Sequence, residues 1–414
     1  MANTLNLGTD GNWATKEDSL LAYNSENGNF KPLPFDFTRA SSATVVNKAG
    51  LIETVGSGKP RIDFLGNTKG ALLLEPQRTN LITYSEAFDN GYWIKTNSSA
   101  VSGFISPDGN NNAFKLVDST SLSAKDIRSS ANITPSIGSD YTTSIIVKGN
   151  GRDLGIWSYN GTVNYETYFD LTLGTVLSGN GVIEALSDGW YKCSLTVTAT
   201  TSSPNAYLCD LFITQGTTIS YQGNGTSGVY IYGAQVEVGS LSSYIPSQGS
   251  AVTRVADTAS GSGNSEVFND SSGVLYLQLS SNADGNNRQI GISDGSSSDR
   301  VIITLRPDNN TVRFFYEGTT GGSTQIDSVG YNFNNTLKIA AKYKSGDIAL
   351  WVNGFEVGNS TSAITSSGLN VLDFYNTANS ALAMYAKTKE IGYYDTALTD
   401  LELETLTSYR SWLS

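Results

Sequence analysis

The stretch Gly228–Asp257, GVYIYGAQVEVGSLSSYIPSQGSAVTRVAD, constrains the fold more than any other part of the chain. Tyr230, Tyr232, Ala234, Val236 and Val238 alternate with Val229, Ile231, Gly233, Gln235 and Glu237. That period of two is the pattern of a strand in a sheet, because side chains of successive strand residues point to opposite sides. The stretch then leaves through Gly239-Ser240 and Tyr244-Ile245-Pro246-Ser247 into Ser/Thr/Ala/Gly sequence ending at Asn264. It reads as the closing strand of one β-sandwich and the exit into a second.

The same alternation recurs on both sides of it. Upstream, Tyr141, Thr143, Ile145 and Val147 alternate with Thr142, Ser144, Ile146 and Lys148, and Val163–Leu171 repeats the pattern. Downstream, Leu275/Leu277/Leu279, Val301/Ile303/Leu305, Val312/Phe314/Tyr316 and Leu337/Ile339/Ala341/Tyr343 do the same. In IALWVNGFEV, Asn353-Gly354 tolerates the positive φ of a type I′ hairpin. The expected fold is all-β: an N-terminal short-strand region, a jelly-roll-like sandwich, then a concanavalin A-like sandwich with one C-terminal helix. That helix is expected from Thr399 to about Trp412, with Thr399-Asp400-Leu401-Glu402 as a capping box and Leu398 and Leu403 as a hydrophobic staple. The expected domains are an anchoring and oligomerisation region 1–83, a sandwich 84–257, a linker 258–264 and a second sandwich 265–414.

Composition narrows the chemistry. The 414 residues contain no histidine, which removes Ser-His-Asp and Cys-His catalysis and every His-ligated metal site. A formal net charge of −12 would repel nucleic acid and anionic lipid, so neither is expected as a partner. Cys193 and Cys209 each share a strand face with apolar residues and read as buried thiols; a disulfide would require register between them. The start MANTLNLGTDGNW has neither a basic segment nor an apolar run, so no secretory signal is expected.

In residues 35–83, Arg39, Arg61 and Arg78 occur among Glu53, Asp63 and Glu75. They read either as solvated surface charge, worth little to stability, or as buried or interfacial Arg–carboxylate forks fixing register between strands or subunits; the apolar or small-residue context of each Arg favours the forks. Phe37-Thr38-Arg39-Ala40-Ser41 also echoes Val252-Thr253-Arg254-Val255-Ala256, as if two junctions were pinned alike.

Three stretches carry a family resemblance. FDFTRASSATVVNKAGLIETV with PRIDFLGNTKGALLLEPQRTNLITYSE resembles a segment of tailed-bacteriophage structural proteins, the tail fibres, tail spikes and head fibres. From Asn90-Gly91-Tyr92-Trp93 through Asp188-Gly189-Trp190-Tyr191 to the pivot, the chain is similar to the carbohydrate-binding-like sandwich found with that segment. LKIAAKYKSGDIALWVNGFEV and KEIGYYDTALTDLELETL resemble the laminin G-like, concanavalin A-type lectin fold. The resemblance implies a virion protein, made in the host cytoplasm, that forms a homo-oligomer such as a trimer, contacts other virion proteins through its N-terminal region and binds host surface glycan. A structural or decoration protein without sugar binding is the first alternative; a polysaccharide depolymerase is the second.

For sugar binding, the candidates are Trp157 and Tyr159, opposite Leu154 and Ile156, with Tyr168 and Trp351, because a flat aromatic stacks on a pyranose. Packing is the competing role for each. Trp93 and Trp190 follow turns and are assigned to structure. A glycosidase needs two carboxylates across a groove. No strand here carries clustered acids of the form E-x-D-x-x-E; Glu402 and Glu404 lie on the helix, and Glu356 and Asp373 are isolated, so no enzyme is expected. Asn282–Asn286 and Ser293-Asp294-Gly295 offer hard oxygen ligands for calcium, but Asp-Gly and Asn-Gly also serve as plain turns and no spacing fits a dedicated loop. No cofactor is therefore assigned.

Overall fold

The computed structural model describes residues 5–16, 19–24, 29–66, 68–130, 133–159, 162–202, 209–281, 285–375 and 382–409. The fold is all-β: every pairing between described strands is antiparallel, and two sandwiches share one chain.

The first sandwich faces two six-stranded sheets against each other. One runs in the order Trp93–Thr96, Asp126–Ser129, Asp210–Thr214, Asp153–Tyr159, Asn164–Asp170, Thr175–Ser178. The other runs Ser98–Phe104, Ala113–Asp118, Gly228–Val238, Asp140–Asn150, Tyr191–Thr198, Val182–Ala185. The alternating apolar positions meet between them: Ile127, Leu154, Ile156, Phe169, Leu211 and Ile213 from one side, Leu116, Ile145, Val147, Leu195, Val229 and Ile231 from the other. Gly228–Val238 is central in its sheet, paired with Ala113–Asp118 and Asp140–Asn150, but its alternation does not run through as expected: a register shift at Gly233, whose φ is 62°, puts Val229 and Ile231 on the same side as Ala234 and Val236, while Tyr232 packs with Ile52 and Tyr244 on the other. Cys193 and Cys209 are free buried thiols of this core. Trp93 and Trp190 are buried, and Trp93 Nε1 donates to Tyr84 O at 2.8 Å.

The second sandwich stacks Gly322–Val329, Thr311–Gly318, Arg300–Arg306, Arg288–Ser293 and Val371–Asp373 on a sheet containing Ser272–Ser280, Leu337–Lys344, Ile348–Val352, Phe355–Ser360 and Lys387–Tyr394. Asn353 and Gly354 have φ of 53° and 90°, the positive values that the hairpin requires. Helix α1 spans Asp400–Thr407 and carries the full capping box of Thr399 with Glu402. It stops short of the expected end because Ser408 turns extended, its N–H and hydroxyl both donating to Glu404 O; residues 410–414 lie outside the described residues. Leu398 and Leu403 are buried together under it.

The division of the chain differs from expectation at both junctions. Residues 5–38 do not form a region of their own. Leu5–Leu7 pairs with Lys387–Tyr394, placing Leu5 opposite Tyr393 and Leu7 opposite Ile391. Ser19–Asn24 and Asn29–Thr38 extend the same sheet, and Leu5, Leu7, Leu20, Phe35 and Phe37 enter the core of the second sandwich. The supposed linker is also structured: Thr258–Ser260 pairs with Asp36–Thr38. The physical reason is an edge. Without the N-terminal strands, Lys387–Tyr394 would present unpaired backbone groups and bare apolar side chains. Residues 39–83 wedge between the sandwiches, Leu72 and Leu74 packing into the second and Ile52 against Ile146, Trp190, Tyr232 and Tyr244 of the first.

Candidate glycan-binding face

The strand parity that sends Leu154 and Ile156 inward sends Gly155, Trp157 and Tyr159 to the outer face of the first sheet. Register brings neighbours alongside. Arg128, Asp210, Trp157 and Glu166 lie in one rung across four strands. Asp126, Phe212, Gly155 and Tyr168 form the next.

Trp157 and Phe212 pack with ring centroids 4.3 Å apart and planes inclined by 37°. Trp157 Nε1 donates to Tyr168 Oη at 3.3 Å, and Tyr168 Oη donates to Glu166 Oε2 at 2.8 Å. This chain fixes both rings before any ligand arrives, and such preorganisation lowers the entropic cost of binding. Gly155 lies beneath the Tyr168 ring: a Cβ there would meet Tyr168 Cε1 at 3.2 Å and Thr214 Cγ2 at 3.3 Å. Trp157 stays partly exposed, Tyr159 is 40% exposed, and Arg128 and Glu166 are exposed beside them.

The electrostatics are those of a crowded acid pair. Burial, then the neighbouring Asp126, pushes the Asp210 carboxyl up to about 7, against a partial counter-effect from Arg128. Burial also raises Asp126, which accepts from Thr96 Oγ1 at 3.3 Å. Asp210 Oδ1 has no hydrogen-bond partner among the described residues. An aromatic platform flanked by an underused carboxylate, a guanidinium and a carboxylate fits a polyhydroxylated ring: the aromatic takes the C–H face, the polar groups take hydroxyls.

Trp157, Tyr159 and Tyr168 therefore share one face. Tyr168 is 8% exposed and holds Trp157 in place more than it offers its own surface. Trp351 does not join them. It lies in the other sandwich, 6% exposed, packed with Leu398 and Leu403 of the helix region, and is a packing residue. Asp210, Phe212, Glu166 and Arg128 were not expected, although the parity that buries Leu211 and Ile213 in CDLFIT already places Asp210 and Phe212 on the opposite face. Of the calcium candidates, residues 282–284 lie outside the described residues, and Asp294 is occupied as a turn acceptor for Ser296. Among the described residues no group of three acidic or sulfur ligands gathers for a metal.

The arginines stand elsewhere. Arg39 and Arg61 are buried inside one chain, so their forks fix segments of that chain to one another. Arg39 Nη1 donates to Asp257 Oδ1 at 3.0 Å and Arg61 Nη1 to Glu75 Oε2 at 2.7 Å, while Arg61 Nη2 reaches Asp257 Oδ2. Arg254, the echo of Arg39, donates to Glu75 Oε2 at 2.8 Å. Both junctions thus use an Arg on a shared carboxylate pair. Arg78 is half-buried, its Nε 3.9 Å from Glu237 Oε2.

No protein-family model matches the chain, and no curated protein does. Among solved structures, it is similar to the Ruminococcus gnavus IT-sialidase CBM40 bound to alpha2,3 sialyllactose, at 14% identity over 36% of this chain and 94% of that one, with a TM-score of 0.31. It is also similar to the mouse laminin alpha1 chain domains LG4-5, at 12% identity over 66% of this chain and 85% of that one, with a TM-score of 0.22.

Proposed function

We propose that this chain is a non-enzymatic adhesin that binds glycan through the outer face built around Trp157. The observation that carries the reading is the Trp157–Tyr168–Glu166 chain beside Phe212: an indole held rigid, partly exposed, with polar groups in register around it. One such face binds weakly, and display in an oligomer such as a trimer raises avidity by effective concentration. The resemblance of residues 35–86 to tailed-phage fibre and spike segments supports placement on a virion surface, with host glycan as the target.

The test is a glycan array probed with the full chain multimerised on a fluorescent scaffold. Wild-type protein is expected to bind a restricted set of glycans, and Trp157→Ala to lose roughly two- to tenfold, the scale of a lost stacking contact, while still unfolding cooperatively. Absence of binding by the multimer, or equal binding by Trp157→Ala, rejects the reading. Release of reducing ends from a bound glycan would replace it with the depolymerase alternative.

A further inference from the structure

A concavity of about 520 Å³ lies on the second sandwich, where the loop between Gly322–Val329 and Leu337–Lys344, the Asn353-Gly354 hairpin tip and the exit of α1 converge. Two tyrosines, Tyr331 and Tyr409, and three asparagines, Asn332, Asn335 and Asn353, line it. None of its lining residues is charged, although the chain as a whole carries −12. The volume is that of a small-ligand site, and a few polar groups set among aromatic rings is the lining that such sites use.

The rings are held before any ligand arrives. Tyr331 Oη and Ser328 Oγ share a hydrogen bond at 2.9 Å, and Tyr409 Oη donates to Thr336 O. Lys338 donates to Ser408 O at 2.9 Å with its ammonium 5.5 Å from the Tyr409 ring centroid, which steadies the same ring. The loop backbone is pinned as well. Gly330 N and Tyr331 N both donate to Asn310 O, at 2.9 and 3.1 Å, and Asn335 N donates to Asn332 O at 3.1 Å. Rings and backbone fixed in advance lower the entropic cost of binding.

The amides are oriented but not used up. Asn353 Oδ1 accepts from Lys338 N at 3.0 Å, and Asn332 Oδ1 accepts from Asn334 N at 3.0 Å. Among the described residues, neither Nδ2 has a partner, and the Asn335 amide has none on either atom. An amide both donates and accepts, as a sugar hydroxyl or acetamido group does, whereas an ionic ligand would find no lining group of opposite sign. We propose that this concavity is a second glycan site, specific for an uncharged pyranose that stacks on the tyrosines and pairs its hydroxyl or acetamido groups with the asparagine amides. It lies on the other sandwich from Trp157 and is independent of that face. Two sites on one chain raise avidity for a glycan coat by effective concentration.

Saturation-transfer NMR on the full chain, with glucose, galactose, mannose, N-acetylglucosamine and glucuronic acid as probes, tests this. Trp157→Ala removes the other face, so the binding that this variant keeps reports the concavity. At least one of the neutral sugars is expected to bind the Trp157→Ala chain. In that background Tyr409→Ala, at a position 44% exposed, and Asn335→Ala, also exposed, should each weaken the binding roughly two- to tenfold, the scale of a lost stacking contact or hydrogen bond. Neither residue belongs to the sandwich core. No neutral sugar bound by Trp157→Ala, unchanged affinity in either added variant, or glucuronic acid bound more tightly than every neutral sugar would overturn the assignment. Binding by wild type that vanishes altogether in Trp157→Ala would do so while leaving the Trp157 face standing.

Discussion

Replacing Glu75 by Gln tests the network that joins the wedge to the exit of the first sandwich. Glu75 accepts from Arg61 Nη1 at 2.7 Å, Arg254 Nη1 at 2.8 Å, Ser243 N at 2.7 Å and Ser243 Oγ at 2.6 Å. Arg39, Arg61 and Arg254 divide two carboxylates, Glu75 and Asp257, and all three guanidinium side chains are fully buried. The amide keeps the volume and lets an oxygen still accept from Ser243, but it removes the charge that compensates two cations. Unpairing one side of a buried ion pair costs about 3–5 kcal/mol. The one Ser243 bond that the amide oxygen keeps places the expected loss near the lower end, about 3 kcal/mol at pH 7. Urea unfolding followed by tryptophan fluorescence measures it as a shift in midpoint at constant slope. The acid limb is the sharper readout. Burial alone would raise the Glu75 carboxyl, yet Arg254 and Arg61, with Ser243, hold it well below the ordinary range. A depressed folded-state value contributes stability above the unfolded value of about 4.3 and loses it as pH falls toward the folded one. The gap between wild type and Glu75→Gln should therefore be full at pH 7 and shrink below about pH 4. A loss under about 1 kcal/mol at pH 7, or a gap that persists unchanged at pH 3, would refute this account of the network.

Three further outcomes are expected. Deleting residues 1–24 removes the buried Leu5, Leu7 and Leu20 and uncovers Lys387–Tyr394; at about 2 kcal/mol for each buried side chain, the second sandwich should lose several kcal/mol and aggregate, visible in sedimentation and in faster amide exchange at 391–394. Thr399→Ala breaks the capping box of α1 and should cost about 1 kcal/mol in urea unfolding, with Ser unaffected. Asp210, with its carboxyl raised to about 7, opposes folding once ionised, so Asp210→Asn should match wild type near pH 4 and exceed its stability above pH 7.

Strand parity, turns and the helix cap are local properties, and the sequence alone determined them. The alternation in Leu337–Lys344, the positive φ at Asn353-Gly354 and the Thr399–Glu402 box each depend on residues within a few positions, so they are legible without knowing what lies opposite; the alternation in Gly228–Val238 is not, because the bulge at Gly233 switches its faces halfway. Parity also told which of Trp157 and Ile156 faces outward, and so half of the candidate site. Tertiary structure decided the rest. Phe212 reaches Trp157 through register with a strand dozens of residues away, and even Glu166, on the next strand of the hairpin, is placed by register, which core packing sets and no short pattern does. Trp351 alternates just as Trp157 does, and only the helix folded across it makes it a core residue. The N-terminal strands look partnerless in sequence because their partner is nearly four hundred residues away, at an edge that exists only once the second sandwich has formed.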